Sequence, residues 1–575
     1  MSAASPGLPA EQPPGTVAMV TSKRPWCGVF GVLLGASVAT AFGRLISIGL
    51  PDLRGALHLD YDAAAWIGTA YNAAMMFIGP FSVYLGGLLG ARRVLLACAM
   101  VFTIISLVLP LVTHLPGMLV LLVLSGLTAG TFYPLTLSFV LTALPPRYVL
   151  FGIGAYAVDI IFSAHLTTYI EAWYINHLSW HWLFWNNVIL TLPMMLLIYV
   201  GIPPQSMPKS SDPQLKPDWG GFLYISLGLA MLYVALDQGE RLDWLHSPII
   251  VAFTVSGSFL VLASAAQRIL MPNPLIRLGS LARRETVLLA MIVALFRFAL
   301  LLSLVLVPAY LGSVQQLLPQ QIGPVLAWNA LPQVIFGALA IYLLTLIEAR
   351  IVMLIGFGLI AVVAYMNMSL TSAWAGNNFF ASQMVLSVGQ AFAFNGMVGA
   401  IILNIINAGG LERPLDILTY SGFFHTVRLF GGQVGAIFLQ HTLITRQKFH
   451  SNMLGLGVQT GDTTTMQRLG LLTAGMTPGS SGPDVAQARA VTLLALQVRR
   501  QAFTLAILDC ILYILLASVL AFLLTLCMRR FPLQFKQLMR MNLRIGKPGP
   551  APQKISDDSP PSAPTSGTSS VSVPA

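Results

Sequence analysis

Eight ionisable side chains stand inside stretches that are otherwise apolar: Arg44, Asp159, His165, Glu171, Arg297, His425, Arg428 and Asp509. At membrane depth a charge is costly unless it faces a protein interior or water, so each is a candidate for carrying a proton, binding a charged molecule or pairing with another. A carboxylate takes up and releases a proton, an imidazole relays one near neutral pH, and a guanidinium stays charged and pairs with oxyanions. Counting from Trp26, Arg44 lies about 27 Å along its helix; counting from Val149, Asp159, His165 and Glu171 lie about 15, 24 and 33 Å along theirs. Asp159 is therefore nearest the midplane and is the leading candidate proton carrier. Arg44 is closer in depth to Glu171 than to Asp159 and is expected to pair with Glu171, although side chains near helix ends also snorkel to the interface. Arg428 lies mid-span with His425 about one turn below, and Asp509 lies about 9 Å from the outer end of the last span. Those depths predict an Arg428 to Asp509 ion pair. The amides Gln333, Gln383, Gln390 and Asn395 either line a cavity or bond between neighbouring membrane helices. His177 and His181 have a spacing that suits a metal, but their neighbours Trp173, Trp180, Trp182 and Trp185 read as an interfacial aromatic belt, and no metal is assigned.

The elements that position these residues are membrane helices. The chain has 575 residues, 56% hydrophobic and only 9% charged, with a mean hydropathy of +0.77. About fourteen apolar stretches of roughly 20 residues are separated by short polar breaks, which favours helices over the alternating strands of a barrel. The fold class is an all-α polytopic membrane protein. Lys23, Arg24, Arg92, Arg93, Arg147, Arg283, Arg284, Arg350, Arg529 and Arg530 fall on alternate connections, so the net charge of +11 follows the positive-inside rule and does not point to nucleic acid. Both termini are predicted to be cytoplasmic, with the first span retained as an anchor.

Along the chain the expected organisation is a disordered tail at 1–25, a six-helix bundle at 26–202, a linker with two inserted helices at 203–285, and a second six-helix bundle at 286–528. Residues 529–575 form a basic segment, expected to lie on the inner leaflet as an amphipathic helix, followed by a disordered Pro/Ser-rich end. Two six-helix groups suggest duplicated halves with a site between them. The polar segment 445–502, joining the last two helices on the outer side, reads equally as a docking surface or a flexible linker. Cys27, Cys98, Cys510 and Cys527 stand singly, without metal-ligand spacing. No GxxxxGK[ST] loop and no HExxH occur, which argues against ATP hydrolysis or zinc chemistry within the chain. No cofactor is expected.

The stretch "FFHTVRLFGGQVGAIFLQHTLITRQKFHSNMLGLG", with "LDQGERLDWLHS", "LSWHWLFWNN" and "RRQAFTLAILD", resembles the EmrB/QacA-like fourteen-span drug:proton antiporter branch of the major facilitator superfamily. The resemblance implies two six-helix bundles plus an inserted pair, and proton-coupled export of amphipathic drugs or toxic small organic compounds by alternating access. It also implies a bacterial inner membrane as location, with small-molecule substrate, protons and the lipid bilayer as partners, and a periplasmic membrane-fusion adaptor with an outer-membrane channel as candidate partners.

The chain departs from the family pattern where the proton relay usually sits. Phe42 occupies the position of the first-span acid and Leu122 that of the fourth-span arginine. Between the second and third spans, Val83 and Gly87 replace a Gly and an Asp, while the gating-loop residues Gly90, Arg92 and Arg93 are kept. The fifth-span antiporter signature becomes Thr167-Thr168 and Glu171-Ala172. Arg428 alone stands where the motif places a charge. The loss leaves two other readings open: an importer or uniporter of an organic anion, with Arg44, Arg297 and Arg428 facing the anion, and a non-transporting membrane sensor.

Overall fold

In a hydrocarbon medium every backbone N–H and C=O needs an internal partner, and a chain of this composition meets that demand by folding into helices. The computed structural model describes residues 24–144, 146–203, 219–270, 281–407, 414–459, 461–479, 482–532 and 534–537. The N-terminal tail, the linker, most of the basic segment before the second group, and the C-terminal Pro/Ser-rich end lie outside these.

The helices in chain order are α1 (Pro25–Ile48), α2 (Leu50–Ala56), α3 (Tyr61–Leu89), α4 (Ala91–Val108), α5 (Leu115–Ala129), α6 (Phe132–Ala143), α7 (Pro146–His177) and α8 (Trp182–Gly201). Then come α9 (Trp219–Gly239), α10 (Pro248–Leu270), α11 (Arg284–Ala299), α12 (Val307–Ser313), α13 (Pro319–Leu346), α14 (Ala349–Met366), α15 (Phe380–Asn407), α16 (Pro414–Leu456), α17 (Thr463–Met476) and α18 (Pro483–Cys527). Among the described residues there is no strand. Among the described residues twelve spans are long and apolar enough to cross a bilayer, α5 with α6 and α11 with α12 each counting as one. Two further long helices, α3 of 29 residues and α16 of 43, pack against them.

Local chemistry starts and stops these helices. Proline opens α1, α5, α13 and α18, where its missing N–H costs nothing. The Asp60 carboxylate caps α3 by accepting from Ala63 N at 2.7 Å, and Gly90, at φ 86°, makes the left-handed turn between α3 and α4 that a side chain would resist.

α1 packs against α6, α7 and α8, α3 against α5, and α4 against α8; in the second group α15 packs against α13 and α14, and α16 and α18 against each other and α11. The groups meet along two lines, α7 on α13 and α3 on α16, while α9 pairs with α10 and rests on α3 and α16.

One expectation changes. Segment 445–502 is no flexible linker: α16 continues unbroken to Leu456 and α18 begins at Pro483, with α17 packed against α18. Its Gly and Thr residues are spaced among Leu, Met and Gln that extend the helical pattern, so the projection is a helical hairpin. Of the basic segment after α18, Phe535 is buried, 3.3 Å from where a Cβ on Gly399 of α15 would lie, and Gln534 donates to Glu348 at 3.2 Å; most of the expected surface helix lies outside the described residues.

Close approach of α7 and α13 depends on two glycines. A Cβ at Gly154 would lie 2.0 Å from Ile341 Cγ1, and one at Gly337 2.1 Å from Val158 Cγ2. Replacing either by Leu is expected to destabilise the protein by about 1–3 kcal/mol through overpacking. A fluorescence melt of the purified protein checks it, with Gly68→Ala, which meets nothing within 4 Å, melting like the parent.

Candidate functional site

Five helices from both groups turn a polar stripe toward their shared interior. On α1, Ser37, Thr40 and Arg44 follow one helical face at spacings of three and four; α7 presents Tyr156, Asp159 and Ser163 in the same way. α11 brings Arg297, α15 brings Gln390 and Asn395, and α16 brings His425 and Arg428.

Toward the end of the bundle that carries the hairpin, the stripes knit together. The buried His165 ring places Nδ1 2.9 Å from the Ile161 carbonyl and Nε2 2.9 Å from Ser303 Oγ. With Nδ1 donating to that carbonyl, Nε2 accepts from the Ser303 hydroxyl. Gln390 donates to the same oxygen at 3.2 Å. Ser303 lies in a π-helical turn, Leu302–Leu306, between α11 and α12, a geometry that widens the helix and often marks functional positions. Two residues past that turn, Pro308 has no N–H for the Leu304 carbonyl four residues back, and Arg44 Nη2 donates to that carbonyl across the interface at 3.4 Å. Further out, Gln320 donates to Asn176 at 2.5 Å.

Deeper in, the Ser37 hydroxyl donates to Asp159 Oδ1, and Asp159 Oδ2 is buried without a partner. Tyr156, one turn away, lies within electrostatic range of both Asp159 and Arg428. Thr40 and Tyr133 share a hydrogen bond of 2.6 Å, Tyr133 stacks on His425 at 5.1 Å, and the Arg428 guanidinium sits 4.1 Å above the Tyr133 ring. Arg428 Nη2 also donates to His425 Nδ1 at 3.4 Å. Arg297 packs over Gly432, where a Cβ would lie 3.1 Å from its Nε. A cavity of about 40 Å³, lined by Tyr133, Tyr156, Phe394, Phe424, His425 and Arg428 among others, lies between the groups. It is far below the roughly 300 Å³ of a small-molecule pocket, so the site is closed in this conformation.

The two sequence-predicted ion pairs do not form. Asp509 accepts from His450 at 2.8 Å and lies 3.5 Å from Arg446. Arg446 is about 27 Å further along α16 than Arg428, because α16 runs on past the assumed end of its span and α18 begins well before its assumed start. Asp509 therefore belongs to the base of the hairpin. Glu171 is fully buried and neither of its oxygens has a partner; it lies about 9 Å beyond His165 on α7, whereas Arg44 turns toward the second group. Asp52 of α2 is within its electrostatic range.

The predicted amides divide. Gln383 accepts from Asn329 at 3.4 Å, and Gln333 meets Ser387, so both bond between α13 and α15. Gln390 reaches Ser303, and the Asn395 amide faces Gly154 of α7. In the gating loop, Arg92 donates to the Tyr199 carbonyl at 3.0 Å and lies over that ring, which ties it to its own group; Arg93 is exposed. His177 stacks on Trp173 and His181 on Trp180.

An acid missed in the sequence is the best satisfied of all. Asp237 of α9 accepts from Thr69 of α3 and, at 2.5 Å, from Gln433 of α16. Tyr233 donates to the same Gln433 at 2.8 Å. Nearby, Arg241 pairs with Asp62 at 2.8 Å, and Glu240 meets His441 at 2.9 Å. Desolvation, the largest single influence on Glu240, pushes its carboxyl up, but the hydrogen bonds from Trp244 and His441 and the charges of His441 and Lys448 together outweigh it and hold the group below the usual range. The inserted helix is thereby tied to both groups at their α3–α16 seam. The readable signal was an acid four residues after Tyr233 and directly before Gln238, three polar groups at the end of an apolar span.

A family model described as the Major Facilitator Superfamily matches residues 32–436. The chain is 23% identical over 466 residues to the colistin resistance protein EmrB of Acinetobacter baumannii, covering 79% of this chain and 87% of that one. It is 22% identical over 413 residues to the multidrug export protein EmrB of Haemophilus influenzae, covering 71% and 79%. Among solved structures, the human organic anion transporter MFSD10 aligns with a TM-score of 0.52 at 13% identity over 87% of this chain and 99% of that one, a likeness of fold alone.

Asp237→Leu removes acceptors for both groups and is expected to cost about 2 kcal/mol or more, since each hydrogen bond to a charged group contributes roughly 1.5–3 kcal/mol. Asp237→Asn keeps one acceptor and is expected to cost less. Thermal melts of the two variants in detergent check the order; a Leu variant that melts like the parent removes the structural role.

Proposed function

The chain belongs to the major facilitator superfamily, and from that membership we propose that it is a proton-coupled exporter of amphipathic organic compounds, resident in a bacterial inner membrane with both termini cytoplasmic. The observation that carries this reading is the collection of incompletely partnered ionisable side chains where the two helix groups face each other. Groups that are scaffold only are satisfied, as Asp237 is; groups that bind and release need unfilled valences. Direction is supported by the relatives named as export and resistance proteins.

Asp159 is the proposed proton carrier. It is held by a hydroxyl and not by a cation, so neither of its protonation states is locked by an ion pair. Glu171, buried without any partner, is the second candidate on the same helix. Alternating access then means breaking the contacts of His165, Ser303, Gln390 and Arg44 so that the closed central site opens at the hairpin end, and re-forming them when it opens at the other end. The α16–α18 hairpin is the proposed docking site for a periplasmic adaptor leading to an outer-membrane channel.

Proteoliposomes with an imposed pH gradient test the coupling. Substrate movement opposite to the proton gradient is expected for the parent, and Asp159→Asn and Glu171→Gln are each expected to lower pH-driven flux at least about tenfold. Unchanged flux in both variants refutes the coupling assignment, and movement in the same direction as protons makes the protein an importer.

A further inference from the structure

Arg44, Arg297 and Arg428 come from α1, α11 and α16 and face the space between the groups, yet none has a carboxylate within salt-bridge distance among the described residues. The Nε of each is buried without a hydrogen-bond partner. Arg297 lies within electrostatic range of both other guanidinium groups and is repelled by each. The acid on the same stripe, Asp159, bonds to Ser37 and forms no pair with them. Arg428 gains a partial offset from the Tyr133 ring and from His425, Arg44 has a carbonyl, and Arg297 has Tyr133 and Tyr233 within electrostatic range. Arg428 is buried and Arg44 and Arg297 are half-buried, and uncompensated cations withdrawn from water destabilise a fold, so the three together call for a counter-charge.

We propose that the counter-charge arrives with the cargo: the substrate is an amphipathic organic acid, bound as its oxyanion by Arg44, Arg297 and Arg428, with its apolar body against Tyr133, Tyr156, Phe394 and Phe424. This rests on the exporter reading and names its substrate class. Guanidinium forks suit the two oxygens of a carboxylate or the three of a sulfonate. The aromatic walls, including Phe394 stacked on Phe296 at 5.2 Å, supply the apolar contact that small-molecule sites require. A cationic amphiphile would meet three like charges and one acid.

The test uses the full chain in nanodiscs and probes matched in their apolar bodies: 1-naphthoate against 1-naphthylmethylammonium, and biphenyl-4-carboxylate against 4-biphenylmethylammonium, titrated at fixed salt by calorimetry. The carboxylate of each pair is expected to bind at least about tenfold more tightly. Arg297→Gln and Arg428→Gln should erase that preference, and Arg297→Lys, which keeps the charge, should retain most of it. Equal or tighter binding of the ammonium members, binding of neither carboxylate, or a preference unchanged in both Gln variants overturns the proposal. The parent's probe pairs and the Lys variant decide the matter even where a Gln variant does not fold. Flux in proteoliposomes separates the two readings: carboxylate binding without any transport removes the exporter and leaves the anion site, whereas transport of ammonium probes alone removes the anion site and leaves the exporter.

Discussion

A charge inside a hydrocarbon layer must have a neighbour, and this protein arranges its neighbours across a seam that has to move. Backbone polarity is settled within each helix, so it places no demand on how the helices are arranged. Side-chain polarity is settled between helices. The groups that must be satisfied to build the bundle, such as Asp237 with Thr69 and Gln433, are satisfied across three elements at once. Those facing the central space are left short: Asp159 has one oxygen without a hydrogen-bond partner and three guanidinium groups have no acid; further along α7, Glu171 has neither oxygen partnered. That contrast separates scaffold from working parts better than burial does, since Asp237, Asp159, Arg44 and Arg297 are all half-buried.

Movement is confined by two kinds of contact. The α7–α13 seam relies on Gly154 and Gly337 to bring the helices together without interlocking side chains, a surface suited to rocking. The contacts at the hairpin end are different in kind: hydrogen bonds linking His165 and Gln390 to Ser303, and Arg44 reaching the Leu304 carbonyl, for which Pro308 has no N–H. They are few and directional, and each can be exchanged for water when that end opens. The π turn places Ser303 where both α7 and α15 reach it, so one hydroxyl holds three helices. The inserted helix α9 grips both groups at the second seam, α3 on α16, and so constrains the axis about which they turn.

Membrane class, helical fold and the candidate charges were all legible in the sequence, because hydropathy reports which residues lie in the layer and a charge within it stands out. Pairings were not legible. Counting residues from a span boundary gives depth, one coordinate of three, and it ranked Arg44 with Glu171 and Arg428 with Asp509. Rotation about the helix axis decided otherwise for Arg44, which turns toward Leu304. The boundary itself was wrong for Asp509, since α16 and α18 extend far beyond the apolar run and bring His450 and Arg446 to it. A better use of the sequence was available in the stripes: Ser37, Thr40 and Arg44, or Tyr156, Asp159 and Ser163, share a helical face, and a face carries the azimuth that depth lacks. Asp237 was passed over because it lies at the end of its span, where a charge looks ordinary; only the third helix, α16, makes it a junction.

The missing relay becomes intelligible when the sign of the cargo is considered. A transporter that expels cations works against a membrane potential negative inside, at about 2.3 kcal/mol per charge for each 100 mV, and needs its proton machinery to supply that work. An anion leaving the same cell moves with the potential. Exchange for a proton then adds to a gradient already favourable, and the demand on the coupling residues falls. A chain in which Phe42 and Leu122 stand where the resembled pumps carry an acid and an arginine, and which instead gathers three guanidinium groups about its centre, fits the second case. The acid on the same stripe, Asp159, is held by a hydroxyl on α1 within electrostatic reach of Tyr156, which in turn feels Arg428. If Asp159 is the proton carrier as proposed, its protonation changes the net charge seen by a bound anion without breaking any ion pair. Under that proposal coupling runs through the charge of the cavity, and the arginines set its sign.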